Sequence, residues 1–323
     1  MKNTERKSLI FKLMSISISI IILLVGTFII YNYYIKSSYN RAVSKEKIYQ
    51  LGTNTLEENY TTDKYFNFKV LKPNTKVSAI KKIDDNLVYD AVYTSDKNSF
   101  RQTKGNIKGN TYIFMGCSYM FGVGVNDDET IPYCFSKISD FKYNVINAAF
   151  PSTATYISYA LLESNKLIEC VDTKIEYIIY EFFSDHIYRN LVGSNIVYKI
   201  DNGNLVKVEK GEPIEIFTNK ILQLKYKEKG LNLTVKLLEE MNKLAKEKYN
   251  SKFLVVLYEF YDHDNITKEL KELLDNSKIE NIYTDIKINE NNSDYYRIRN
   301  DDHLTRNANK EIAQKIYNYI FNK

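Results

Sequence analysis

The 323-residue chain has no tryptophan, only three cysteines and only three histidines. Cys117, Cys134 and Cys170 are too few for a disulfide framework, and none has CxxC spacing. Without a His/Cys cluster there is no zinc-type ligand set either. Charge of one sign is also missing. The 45 Lys+Arg and 40 Asp+Glu leave a net charge of +5, and the basic residues are interleaved with acidic ones. That argues against a phosphate-tracking face and excludes nucleic acid as the expected partner. With 26% charged and 44% hydrophobic residues, the composition is that of a chain that buries a core rather than a disordered one. No internal repeat or low-complexity tract is visible.

One long apolar run is present. Residues 13–30 read LMSISISIIILLVGTFII, without a charge, and Tyr31, Tyr33 and Tyr34 follow. That is near the shortest length that crosses a bilayer, and the tyrosines suit its interface. A cleaved signal peptide is the alternative, but no small-residue cleavage site follows the run. The sequence therefore predicts a tail over 1–12, a single-pass membrane anchor over 13–35 and a polar stalk over 36–65. Basic residues flank the run on both sides, so the positive-inside rule votes weakly. The short leading tail favours a cytoplasmic N-terminus and an extracytoplasmic body.

Residues 66–110, with FNFKVL and LVYDAVYT, read as a small β-rich preface. Beyond it, buried-strand runs stand at 111–116, 143–149, 175–183, 253–260 and 281–286. Helical patterns lie between them at 154–169 and 233–249, and a last one at 308–321 closes the chain. Strands alternating with helices predict a three-layer α/β/α domain over 111–323 with a mostly parallel sheet. An insertion over 187–230 contains a hairpin signal, DNGN, between NIVYKI and LVKVEK.

In such a sheet the strand-to-helix turns carry the chemistry. The first turn reads MGCSYMFGVG, and Ser118 opens its helix beside backbone N–H groups that can hold an oxyanion. A plain N-cap serine is the bland alternative. Near the far end stands Asn300-Asp301-Asp302-His303, a base with a carboxylate two residues before it, or else a solvated turn. Cys117 is a rival nucleophile, but adjacent side chains at a strand end point apart. His263 lies on the same rim, where a solvated loop histidine is the plainer reading.

Together the two ends resemble the SGNH (GDSL-type) hydrolase family, in a branch with Gly-Cys-Ser in place of Gly-Asp-Ser. FMGCSYMFGVGVNDDETIPY (114–133) carries the first block, VINAAFPSTAT (145–155) the second and IIYEFFSDHIYRN (178–190) the third. The resemblance implies Ser118 as nucleophile, His303 as general base and Asp301 as its orienter. It implies an oxyanion hole from the Ser118 N–H, the Ala149 N–H at a position where the family has Gly, and a third-block group. The usual third-block Asn is absent. Ser184, Asp185 or His186 stands nearby, and a protonated His186 is the candidate donor. His186, Asp185 and Arg189 alternatively tie the insertion to the core. The expected activity is a membrane-anchored esterase acting on an acylated carbohydrate, lipid or small ester. The alternatives are an O-acyltransferase using the same site and a non-catalytic glycan- or partner-binding module. No metal or organic cofactor is implied.

Overall fold

The computed structural model describes residues 14, 19, 25–27, 47–51, 59–65, 67–193, 196–217, 219–260, 265–289 and 291–322. Most of the expected anchor (13–35) and stalk (36–65) lies outside these residues, as does His263. Among the described residues, no helix is long and apolar enough to cross a membrane. The chain divides into two units, residues 1–48 with 82–86 and residues 49–81 with 87–323. Of the first, the structure describes helical positions at 14, 19 and 25–27, the start of β1, and a turn in which Asp84 and Asp85 are left-handed. The second carries the sheet.

Short strands come first: β1 (Lys47–Leu51), β2 (Tyr60–Thr62), β3 (Lys69–Leu71), β4 (Lys76–Ile83) and β5 (Asn86–Thr94). The alternation then begins with β6 (Thr111–Met115), α1 (Ser118–Phe121), α2 (Ile131–Ile138), β7 (Asn144–Asn147), α3 (Thr155–Glu163), α4 (Lys166–Cys170) and β8 (Ile175–Phe182). It continues with α5 (His186–Val192), β9 (Val197–Asp201), β10 (Asn204–Val208), α6 (Lys220–Glu247), β11 (Lys252–Leu257), α7 (Ile266–Asn276), β12 (Asn281–Tyr283), α8 (Ser293–Tyr296) and α9 (Arg306–Phe321).

Five strands form one parallel sheet in the order β12-β11-β8-β6-β7. Both faces are covered, which is why these strands read as continuous apolar runs. Ile113 and Met115 of β6 pack with α3, α6 and α7 on one face. Tyr112 and Phe114 pack on the other, with α2, α9 and the inward residues Val77, Ala79, Ala91 and Tyr93 of β4 and β5. The expected three-layer α/β/α architecture is therefore present. The chain passes from β6 to β7 on one side, then crosses to β8 on the other. The C-terminal end of β6 is thus the switch point, where such sheets open a crevice.

Two helical expectations change. The run 154–169 is two helices, because α3 stops at Ser164, whose Oγ donates to the Leu161 carbonyl at 2.7 Å. Helix α6 starts at Lys220 rather than 233, capped by Asn219, which accepts the Ile221 and Leu222 N–H groups. Its first turns show no inward periodicity because Ile221 and Leu224 are 72% and 60% exposed. The DNGN hairpin forms as expected between β9 and β10, with Asn202 and Gly203 left-handed at φ 48° and 78°.

Candidate active site

Gly116, Cys117 and Ser118 leave β6 at the switch point and enter α1. Gly116 has φ +154°, and a Cβ there would run into the Glu181 side chain. Glu181 is a fully buried carboxylate on the neighbouring strand β8. It accepts the N–H groups of Cys117 (2.9 Å) and Met120 (3.3 Å) and the Cys117 thiol (3.2 Å). Burial raises its pKa against the pull of those donors. A buried anion thus pins the start of α1 and leaves the Ser118 N–H without an acceptor among the described residues.

Cys117 is wholly buried, and burial pushes its thiol well above the ordinary range, which leaves it protonated and poorly nucleophilic. Ser118 is half-buried; its Oγ lies 3.9 Å from Cys117 Sγ and makes no hydrogen bond to His303.

The second half of the site is the loop between α8 and α9. The Ile298 N–H donates to the His303 carbonyl and the Asp301 N–H to the Ile298 carbonyl, both at 2.9 Å. Asn300 takes the left-handed conformation, φ 60°, that this tight turn needs and that Asn tolerates. Thr305 ends the loop by capping α9. Within it, Asp301 Oδ1 accepts the His303 N–H (2.7 Å) and His303 Nδ1–H (2.5 Å). The other carboxylate oxygen accepts from Lys81 Nζ, which reaches it from β4. Burial works to raise the Asp301 pKa, but the His303 and Lys81 donors win and hold it well below the usual carboxylate range. With Nδ1–H committed to Asp301, Nε2 carries the lone pair of a general base. The imidazole packs on the Tyr119 ring at 5.4 Å between centroids, so the base loop meets α1 next to the serine.

The second and third blocks are placed differently from expectation. Ala149 is fully buried, and its N–H is taken by Asn147 Oδ1 at 3.3 Å, so it is not a free oxyanion donor. The residue with a glycine-like backbone on this turn is Ser152, at φ 62°; it is exposed, and its N–H finds no acceptor among the described residues. His186 is also fully buried, packed against Phe182 and Phe183, with Nδ1 2.9 Å from the Tyr180 hydroxyl. Burial, with the Arg189 charge, holds its pKa well below the ordinary value. It is neutral, and the cationic donor expected there is not formed. Ser184 is buried. Asp185 faces Arg189 at 3.9 Å, and Arg189 donates to the Thr153 carbonyl at 3.4 Å, the tying role rather than the catalytic one.

Among the described residues, one cluster has metal-ligand chemistry: Cys117, Glu181 and His186, whose ligand atoms lie within 4.8 Å of one another. Holding a cation would require the thiol to lose the proton that burial secures. The carboxylate oxygens already receive three donors. The three side chains form the floor of the nucleophile turn.

Sequence reasoning missed three charged residues. Glu181 interrupts the apolar run IEYIIYEFF, and that interruption was its signal. Lys81 stands in phase with the inward residues Val77 and Ala79 of β4, which is unusual for a lysine. Arg101, 2% exposed, donates to the carbonyls of Val92, Phe121, Gly122 and Val125 and to Asp127, and so secures the loop that follows α1.

Neither a family model nor a curated protein matches the chain. Similar solved structures include a member of the lipolytic protein G-D-S-L family from Veillonella parvula, at 14% identity and TM-score 0.43, covering 67% of this chain and all of that one. An acetyl xylan esterase from Geobacillus stearothermophilus is similar at 10% identity and TM-score 0.41, covering 68% of this chain and 97% of that one. A carbohydrate acetylesterase family member from Sinorhizobium meliloti is similar at 12% identity and TM-score 0.40, covering 65% and 97%. Likeness at this level is a resemblance to SGNH-type structures.

Proposed function

We propose that the chain is a serine ester hydrolase, held at the cell membrane by residues 13–35 with an extracytoplasmic body, that removes acyl groups from an envelope carbohydrate or lipid ester. The observation that supports it best is the Asp301–His303 pair packed on Tyr119, adjacent to a serine at the switch point of a parallel sheet. The apolar run 13–30 supports the anchor.

Ser118 Oγ turns about χ1 from Cys117 Sγ toward His303 Nε2, as catalytic hydrogen bonds tighten when substrate binds. It attacks the acyl carbonyl and gives its proton to Nε2, and Asp301 stabilises the imidazolium. The oxyanion is held by the Ser118 N–H and by the Ser152 N–H, an exposed second-block donor with no acceptor among the described residues. Collapse of the tetrahedral intermediate breaks the ester bond. His303 returns the proton to the leaving alcohol, and water activated by His303 then releases the acid. A sugar hydroxyl in place of that water would make the same acyl-enzyme an O-acyltransferase.

A fluorophosphonate probe with peptide mapping tests the reading on wild type, Ser118→Ala and His303→Ala. Labelling is expected on Ser118, absent in Ser118→Ala and slowed on the order of 10⁶-fold in His303→Ala. A folded wild type that takes no label sinks the serine-enzyme reading and leaves a binding module. Acyl transfer to added sugar at the expense of free acid marks the transferase.

A further inference from the structure

We infer that Lys81, brought in by β4 from outside the sequence blocks, is a positioning residue for Asp301, and through Asp301 for the imidazole of His303. Its Nζ bonds the carboxylate oxygen that His303 does not use. The pair is no surface ion pair, since the two side chains are 5% and 3% exposed. A buried ammonium is tolerated only when it is paired and hydrogen-bonded, and here the partner is the orienter of the base.

The consequence follows from the charges. Asp301 must be ionised to accept Nδ1–H and keep the lone pair on Nε2, yet its burial favours the protonated acid. Lys81 opposes that protonation. It also places a positive charge beside the carboxylate that the imidazole faces. Around them, Tyr93 of β5 senses Asp301, the Tyr119 ring of α1 packs on the His303 imidazole, and Asp302, next to Asp301 in the chain, faces Arg297 at 3.6 Å. The cation that the structure places on the second carboxylate oxygen is Lys81. A lysine that merely docked the β4–β5 hairpin would affect folding and leave the titration of His303 alone.

The consequence for catalysis rests on the Ser118–His303 reading, whereas the Lys81–Asp301–His303 coupling does not. The full-length protein in detergent micelles, selectively labelled at its three histidines, separates the two. The His303 imidazole signal, assigned with His303→Gln, is titrated by NMR in wild type, Lys81→Met and Lys81→Arg. The pH dependence of fluorophosphonate labelling is measured in parallel. Lys81→Met is expected to raise the His303 pKa by about one unit. The acid limb of labelling should move up by the same amount, so that labelling lost near neutrality returns at higher pH. Lys81→Arg should keep the wild-type values. In an Asp301→Asn background, Lys81→Met should give a smaller shift, limited to what the Lys81 charge exerts on the imidazole directly. If Lys81→Met fails to fold, that background removes the unpaired buried carboxylate, and Lys81→Arg still reports.

A folded Lys81→Met with wild-type titration and labelling overturns the inference, as does an equal shift in the Asp301→Asn background. A wild type that takes no label while its His303 titration depends on Lys81 sinks the esterase reading and supports the coupling. Normal labelling with a His303 indifferent to Lys81 does the reverse.

Discussion

The two halves of the site are built on buried charges of opposite sign. At the nucleophile turn a carboxylate, Glu181, collects backbone N–H groups at the start of a four-residue helix. At the base loop an ammonium, Lys81, holds a carboxylate that in turn orients an imidazole. The contrast follows from what each half must hold. A strand-to-helix turn exposes N–H donors and calls for an anion. A general base calls for an anion beside it, and that anion, once buried, calls for a cation. Gly-Cys-Ser has no carboxylate of its own, where the SGNH pattern has Asp, and β8 provides one from the side.

The largest effect is expected from breaking the nucleophile half. Glu181→Ala leaves the Cys117 and Met120 N–H groups buried without an acceptor, which costs about 2–4 kcal/mol. In a unit of this size that lowers Tm by roughly 5–12 °C. Glu181→Gln keeps one amide oxygen for the N–H donors and should lose less than half as much. Thermal unfolding with a tertiary-structure signal checks both. Equal, negligible losses would mean that Glu181 is not what anchors the turn.

Acid sharpens the comparison, because the two carboxylates shift in opposite directions. Asp301 has a folded-state pKa below its unfolded one. Its contribution is full above the ordinary carboxylate range and is lost as pH falls through and below that range. Glu181 has a raised folded-state pKa. Between its unfolded and folded values the native state binds more protons, so the penalty of its charge fades as pH falls through the raised value. Stability measured from pH 7 to pH 2 should therefore fall less steeply at the acid end in Asp301→Asn than in wild type. Glu181→Gln should lack the small gain above the ordinary range. Curves parallel to wild type for both variants would remove the distinction.

What was legible in the sequence follows the same division. The five parallel strands were legible because both faces are buried, which turns each into an apolar run. Ser118, Asp301 and His303 could be named as candidates because each half of the candidate site is contiguous in the chain, and their residue types suit the proposed chemistry. Glu181 and Lys81 were not, since each acts on a segment far away in sequence: 64 residues separate Glu181 from Cys117 and 220 separate Lys81 from Asp301. Only the sheet order and the docking of β4 bring them together. Lys81 left a trace in the alternation of β4, but a lysine in phase with two apolar residues has no meaning until something is known to lie opposite it. The oxyanion donors were least legible. A backbone N–H has no side-chain signature, and matching Ala149 to a glycine by sequence passed over the position whose backbone is glycine-like.

That position gives the smallest and most local prediction. Ser152 sits at φ 62°, a conformation that costs a residue with a Cβ about 1 kcal/mol or more, and it is exposed. Glycine adopts this conformation freely, at the expense of greater freedom in the unfolded chain, so Ser152→Gly should be neutral to about 1 kcal/mol stabilising. The substitution keeps the N–H and removes only the hydroxymethyl group, so labelling of Ser118 by the fluorophosphonate should stay within about twofold of wild type. Ser152→Val adds a β-branched side chain in the same left-handed region, so it should turn the N–H away and slow labelling while the Asp301–His303 pair titrates unchanged. Fast labelling in Ser152→Val would remove the Ser152 N–H from the oxyanion hole and leave the Ser118 N–H as the one donor assigned to it.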